Sequence, residues 1–99
     1  MTSSDPAELP RVRHDAAAQR FEITLAGALA HLDYTVAGGV IEMTHTFVPP
    51  ELRGRGLAEL LVRAALAWAR AGKQRVVPSC AYVAAVIERH AEFKDLVAQ

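Results

Sequence analysis

The chain has 99 residues, 52% of them apolar, and its eleven basic and eleven acidic side chains cancel. That length predicts one domain, and zero net charge argues against nucleic acid as the main partner, because clustered positive charge drives phosphate binding. One cysteine excludes a disulfide framework, no apolar run is long enough for a membrane span, and the scattered histidines predict no metal site. We expect a single cytoplasmic domain over residues 11–99, preceded by a flexible leader over residues 1–10.

The first half of the chain predicts three antiparallel strands in a meander. Apolar and polar side chains alternate along residues 21–25, 31–36 and 40–48, as they do in strands with one buried face. Gly27 and the pair Gly38-Gly39 separate these segments and fit tight turns, because glycine adopts positive φ without steric cost. In the third strand the alternation places four side chains on one apolar face: Ile41, Met43, His45 and Phe47.

The second half predicts helices and one further strand. Pro49-Pro50 ends the third strand, since proline cannot donate a hydrogen bond to a sheet. From Leu57 to Ala71 the apolar side chains, Leu60 and Trp68 among them, follow the spacing of one buried helix face, and Gly72 fits a helix C-cap. The remaining predicted elements are a strand over residues 75–78, a helix over 82–90 and a final helix over 91–98. This order predicts a mixed α/β domain built on one sheet.

The segment between the third strand and the long helix is a candidate binding site. A basic, glycine-containing turn, Arg53-Gly54-Arg55-Gly56, opens directly into the helix. Free backbone N–H groups at a helix start attract anions, and arginines add charge-assisted bonds. The same pattern also fits an ordinary strand-to-helix turn with exposed arginines. A nucleotide P-loop is excluded because no Gly-Lys-Ser/Thr ending is present, and Glu59 stands where a dinucleotide fingerprint needs a small residue.

The turn resembles the R/Q-x-x-G-x-G/A motif of the GNAT superfamily of N-acetyltransferases. Arg53, Gly56 and Ala58 stand at the defining positions of that motif. Residues 11–98 resemble the minimal single-domain YjdJ-like branch of the superfamily. The segments that carry this wider resemblance are Arg20-Phe21-Glu22, Leu32-Asp33-Tyr34, His45-Thr46-Phe47-Val48-Pro49 and Pro78-x-Cys80-x-Tyr82-Val83. Ala91 departs from the pattern, which has proline after Arg89-His90.

The resemblance implies a mainly antiparallel sheet with helices packed on it, and acetyl-CoA as cosubstrate without a metal. In this superfamily the turn binds the pyrophosphate through its backbone, a role that falls on Arg53, Gly54, Arg55, Gly56, Leu57 and Ala58. The strand before the turn splays away from the next strand, so that the pantetheine arm pairs with exposed strand backbone. That role falls on Thr46, Phe47 and Val48. The amine acceptor stays open: a protein lysine, a protein N-terminus or a polyamine.

Three side chains are candidates for the chemistry of acetyl transfer. Cys80 precedes a helix whose dipole lowers a thiol pKa, so it is either a nucleophile or a small buried cysteine. His45 is either the base that deprotonates the amine or a core histidine. Tyr82 either protonates the departing thiolate or packs as an aromatic residue. The amine attacks acetyl-CoA directly or attacks an acetylated Cys80.

Two other classes of function also stay open. A non-catalytic acyl-CoA-binding or protein-interaction module would share the turn and lack a working acid–base set. A nucleic-acid binder would use the arginines, but only Arg53 and Arg55 cluster, and no stacking aromatic residues are interleaved with them. We expect a monomer or a weak dimer.

Overall fold

The computed structural model of the protein describes residues 10–98. The predicted leader over residues 1–10 therefore falls almost entirely outside the described residues and stays a prediction. The strands are β1 (Arg13–Asp15), β2 (Arg20–Leu25), β3 (Ala28–Ala37), β4 (Val40–Phe47) and β5 (Arg75–Pro78). The helices are α1 (Leu57–Ala71) and α2 (Ala81–Arg89), with 3-10 turns at Pro50–Leu52 and Ala91–Leu96.

The five strands form one sheet in the order β1-β2-β3-β4-β5. Strands β1 to β4 are antiparallel to one another in succession, and β5 is parallel to β4. This mixed, mainly antiparallel sheet confirms the predicted fold class. Strand β1 was not predicted, because its three polar residues carry no apolar alternation. It is a strand because it pairs with β2, where Arg13 forms an ion pair of 2.7 Å with Glu22.

The apolar core lies between one face of the sheet and the two helices. Its largest fully buried side chains come from both layers: Ile23, Leu32, Ile41 and Met43 from the sheet, Leu57, Leu61, Val62 and Leu66 from α1, and Val83 and Val86 from α2. Leu60, which the periodicity placed on the buried helix face, is 39% exposed. The buried surface of α1 is rotated away from Leu60 because α1 packs against the C-terminal helical segments as well as the sheet.

Side chains on the opposite face of the sheet are open to solvent. Thr24, Thr35 and Glu42 are exposed there, and they alternate with the buried residues of β2, β3 and β4. The described part of the chain therefore has two layers, with α1 and α2 on one face of the sheet and solvent at the other. We call the solvent-facing side the outer face.

A β-bulge interrupts β4 at Thr44. Asp33 of β3 pairs with His45, and the next residue, Tyr34, pairs with Met43, so Thr44 is an extra residue in the ladder. A bulge of this kind bends the strand and shifts the phase of its side chains by one residue.

The shifted phase changes which residues of β4 face the core. Met43 before the bulge is fully buried, whereas His45 and Phe47 after it are exposed. Thr46 pairs with the buried residue Leu32 and shares its face of the sheet. The prediction that His45 and Phe47 share the buried face of Met43 is therefore wrong. It assumed strict alternation along β4, which one inserted residue interrupts.

The C-terminal segment also differs from the prediction. Residues 91–96 form a 3-10 turn, Ala91–Leu96, instead of a regular helix. Val97 then forms an isolated parallel bridge with Val76 of β5, and the Ala98 N–H donates to the Val76 carbonyl at 2.8 Å. Extended chain at this point covers the second edge of β5. None of the helices among residues 10–98 has the length and apolar character that crossing a membrane requires.

Candidate functional site

The N-terminus of α1 presents backbone N–H groups that no side chain caps. Gly56 is the N-cap, in the left-handed conformation with φ 75°, and it makes no side-chain capping bond. The first bond of the helix runs from the Leu60 N–H to the Gly56 carbonyl at 3.2 Å. The amides of the first turn, which have no partner inside a helix, therefore point out of its positive end.

The turn before α1 leaves open space in front of these amides. Gly54 and Gly56 have φ values of 83° and 75°, which disfavour any residue with a Cβ, and no heavy atom lies within 4 Å of a Cβ placed at either one. Leu52 is buried below the turn and fixes its position. The turn is thus held rigidly from below while its backbone stays accessible from above.

The two arginines of the turn have different roles. Arg53 folds back, and its Nε donates to the Val48 carbonyl at 2.9 Å, which ties the turn to the end of β4. Arg55 is exposed and has no ion-pair partner among residues 10–98. The Arg55 guanidinium and the terminal nitrogens of Arg53, which lines the adjoining cleft, therefore remain available to an incoming anion.

A cleft of about 290 Å³ connects the turn to the start of α2. Its lining residues come from the end of β4, the turn, the start of α1 and the first turn of α2: Val48, Leu52, Arg53, Gly54, Gly56, Leu57, Ala58 and Tyr82. Five of the six predicted pyrophosphate-binding residues line this cleft or its edge, with Arg55 outside the lining. Tyr82, a predicted catalytic residue, is 36% exposed and lies at the opposite wall.

Strands β4 and β5 separate just before the cleft. Their pairing ends with Met43 opposite Pro78, and the Cys80 N–H makes a further bond to the Met43 carbonyl at 2.9 Å. Residues 45–47 pair only with β3, so the other edge of β4 is open along them. The separation of the strands that the resemblance implied is present here; Thr46 and Phe47 lie on the open edge, and Val48, the third predicted pantetheine-binding residue, directly follows β4.

Cys80 lies at the closed end of this gap. It is half-buried and is the N-cap of α2, and its Sγ lies 3.5 Å from the Thr46 Oγ1 across the gap. Burial acts to raise the pKa of the thiol. Hydrogen bonds with the Thr46 hydroxyl and with backbone groups of Val83, Tyr82 and Thr46 outweigh burial and hold the pKa below its usual value.

His45 does not meet Cys80. The bulge turns it to the outer face, where its ring centroid lies 6.1 Å from that of His31. His31 Nδ1 in turn lies 2.9 Å from an Asp33 carboxylate oxygen. Of the three predicted catalytic residues, Cys80 and Tyr82 therefore lie at the gap and the cleft, and His45 lies on the opposite side of the sheet.

One carboxylate at the gap was absent from the sequence-based candidates. Glu42 lies on the outer face, one residue before the last β4–β5 pair, and the Ser79 hydroxyl donates to its Oε2. Ser79 directly precedes Cys80, so this carboxylate and the thiol flank the end of β5. The strand alternation put Glu42 on the polar face, but its contact with Ser79 depends on the register of β5, which local sequence does not encode.

The described residues hold no group of three or more His, Cys, Asp or Glu side chains arranged to bind a metal ion. The titratable groups at the gap are instead a thiol and a carboxylate near a cleft with an uncapped helix start. This set can bind an elongated anion and move protons near its end.

Known proteins resemble this chain in sequence and in fold. Protein NATD1 of Xenopus tropicalis is 38% identical over 69 residues, which cover 67% of this chain and 63% of that protein. Protein NATD1 of Bos taurus is 36% identical over 76 residues, which cover 74% of this chain and 67% of that protein. The match thus spans less than two thirds of the Xenopus protein.

A solved structure supports the same relationship. The solution structure of a GCN5-like protein from Staphylococcus aureus superimposes with a TM-score of 0.70 at 25% identity, covering 89% of this chain and 87% of that one. A family model described as GCN5-related N-acetyl-transferase matches residues 20–96. On these findings, the chain belongs to the GCN5-related N-acetyltransferase family.

Proposed function

We propose that this protein transfers the acetyl group of acetyl-CoA to an exposed primary amine. The observation that carries the proposal is the gap between β4 and β5. At one end it meets the cleft above the α1 N-terminus, through Val48 and Tyr82. At the other end it closes on Cys80. An elongated substrate with a phosphate group and a distant thioester fits this arrangement better than a compact anion does.

The residues of the turn have the chemistry to bind the pyrophosphate. Uncapped amides at the start of α1 donate to phosphate oxygens, and Arg55 adds a charge-assisted bond. Arg53 lines the cleft and can add a second such bond, while its Nε bond to the Val48 carbonyl fixes the turn against β4. The open edge of β4 over Thr46 and Phe47 offers backbone groups to the amides of a pantetheine arm.

Acetyl-CoA supplies the activated acetyl thioester, and side chains at the gap supply the proton transfers. Glu42 accepts the proton of the amine from the outer face, where its carboxylate is exposed beside Ser79. His45 lies on the same face and is the second candidate for this base. Cys80 either protonates the departing thiolate or carries the acetyl group as a thioester, and Tyr82 is the second candidate for the acid.

The exposed outer face favours an acceptor that is itself an exposed amine. Among the described residues no helix encloses this face, and Glu42 offers a negative charge to an approaching ammonium group. A lysine side chain or N-terminus of a protein, or a polyamine, meets both conditions. We propose these acceptors over an enclosed small metabolite.

Isothermal titration with acetyl-CoA, followed by an acetylation assay on a lysine peptide and a polyamine, tests the function. We expect binding and transfer by the wild-type protein. Absence of binding at millimolar acetyl-CoA would refute the proposal. Binding without transfer to any amine would instead support a non-catalytic acyl-CoA-binding module.

Substitutions identify the base and the route of transfer. If Glu42 is the base, Glu42→Gln lowers kcat about 10²–10⁴-fold, whereas Glu88→Gln on the exposed side of α2 leaves kcat unchanged. The larger loss in His45→Asn would assign the base to His45. Mass spectrometry of the protein with acetyl-CoA alone then detects acetylated Cys80 only in the covalent route, with Cys80→Ala as the blank.

A further inference from the structure

Thr46 is the side chain that the bulge in β4 turns toward Cys80. Without the extra residue Thr44, strict alternation from the buried Met43 would put residue 45 on the inner face of the sheet and residue 46 on the outer face. The bulge reverses this, so that Thr46 lies opposite the buried Leu32. A polar side chain therefore stands on the inner face at the gap.

The contact between the two side chains crosses the gap. Thr46 is half-buried, and its Oγ1 lies 3.5 Å from the Cys80 Sγ. No other side chain among residues 10–98 makes a hydrogen bond to this sulfur. A hydroxyl both donates and accepts, so Thr46 can accept from the thiol and donate to the thiolate. Its partnership with the sulfur survives a change of protonation.

We propose that Thr46 is a positioning residue for Cys80: its hydroxyl holds the sulfur at the closed end of the gap and stabilises the thiolate there. Its catalytic consequence rests on the proposed acetyl transfer, whereas the positioning itself does not. Thr46 thus has a side-chain role in addition to the backbone role that the resemblance implied.

A thiolate occurs in both routes that involve Cys80. In the covalent route the Cys80 sulfur bonds to the acetyl carbon while the bond from that carbon to the CoA sulfur breaks, and the electron pair leaves with CoA. The amine then bonds to the acetyl carbon, the Cys80–acetyl bond breaks, and the ammonium proton passes to the base. In the direct route the amine bonds to the acetyl carbon, the bond from that carbon to the CoA sulfur breaks, and the ammonium proton passes to the base. Cys80 gives its proton to the departing CoA sulfur and becomes a thiolate itself.

The pKa of Cys80 agrees with this geometry. Burial opposes the thiolate, and the Thr46 hydroxyl provides the strongest side-chain contribution in the other direction. Without the hydroxyl, one of the hydrogen bonds that favour the thiolate is lost, while burial still favours the neutral thiol. The pKa of the thiol therefore rises.

The test measures the rate of Cys80 alkylation by iodoacetamide as a function of pH, in the full chain without acetyl-CoA. Cys80 is the only cysteine, so the signal has no background from other thiols. We expect Thr46→Val to move the midpoint of the profile upward by about one to two pH units, the loss of a hydrogen bond to a charged group. Thr46→Ser restores the midpoint, and Thr35→Val, on the exposed face of β3, leaves it unchanged.

An unchanged midpoint in Thr46→Val would overturn the proposal, as would an equal shift in Thr35→Val. If the valine variant does not fold, Thr46→Ala compared with Thr46→Ser gives the same contrast. If the wild-type protein does not bind acetyl-CoA, the proposed function is refuted. The role of Thr46 in positioning Cys80 can still be measured, because alkylation needs no cosubstrate. A shifted midpoint with an undiminished transfer rate would overturn the catalytic consequence alone.

Discussion

Substitution of Gly56 by alanine separates backbone strain from loss of the phosphate site. Gly56 has φ 75°, and no heavy atom lies within 4 Å of the added Cβ, so the new methyl group clashes with nothing. The cost of Gly56→Ala is then the left-handed conformation alone, about 1–2 kcal/mol for a residue with a Cβ. In a domain of this size that cost lowers Tm by about 4–16 °C.

Gly39→Ala is the matched control. Gly39 has φ 79°, also with no heavy atom within 4 Å of an added Cβ, and it lies in the turn before β4, at the other end of that strand from the phosphate site. Both variants therefore carry the same backbone strain. Only Gly56→Ala puts a methyl group in the space through which a phosphate reaches the α1 amides. We expect at least about tenfold weaker binding of CoA in this variant, equivalent to about 1.4 kcal/mol.

Urea unfolding with and without CoA measures both effects in one assay. A ligand at 100 times its Kd stabilises the folded state by about 2.7 kcal/mol, so wild type and Gly39→Ala gain that amount. Gly56→Ala gains about half of it at the same CoA concentration, because its Kd is higher. Equal stabilisation of the two glycine variants by CoA would refute the assignment of the pyrophosphate to the α1 N-terminus.

Two further predictions concern charged side chains. Arg55→Ala weakens CoA binding more at low than at high ionic strength, because the guanidinium is exposed and its attraction is screened; titrations at two salt concentrations that lose affinity equally would contradict an electrostatic role. Hydrogen bonds from Arg63 and Arg89 hold the pKa of Glu59 below its ordinary value of 4.5. The folded state then binds this proton less readily than the unfolded state, so the contribution of Glu59 to stability is complete above 4.5 and is lost as pH falls through the lowered pKa. Glu59→Gln therefore loses less stability than wild type in urea unfolding between neutral pH and about pH 3, and an identical loss would contradict the ion-pair assignment.

Local periodicity was sufficient to predict most of the regular elements. Strands β2, β3 and β4 and helix α1 each have a pattern of apolar side chains long enough to specify their type. Strand β1 lacks such a pattern, and the helical spacing of Phe93, Leu96 and Val97 is too short to specify a regular helix, so that segment forms a 3-10 turn. Their conformations depend on long-range pairing, of β1 with β2 and of Val97 with Val76.

The candidate site was likewise predictable where it is built from consecutive residues and not where it depends on distant ones. The turn before α1 was predictable because an anion site at a helix start consists of consecutive residues. The environment of Cys80 was not, because Thr46 is 34 residues away in sequence and the Glu42–Ser79 pair spans 37 residues. The single extra residue Thr44 decides which side chain faces the thiol, whereas alternation alone places His45 on the same face as Met43.

In the proposed reaction, the bulge in β4 allows a sheet with helices on only one face to serve two substrates. It gives the inner face Thr46, which contacts Cys80 on the side where the cleft and the α1 N-terminus lie. It gives the outer face His45, which joins Glu42 on the side that is open to solvent. The cosubstrate and the amine can therefore approach the gap from opposite faces of the sheet and meet at the end of β5. A substitution on the outer face should accordingly change KM for the amine and leave CoA affinity unchanged, which makes His31→Ala, on that face beside His45, a direct measure of this separation.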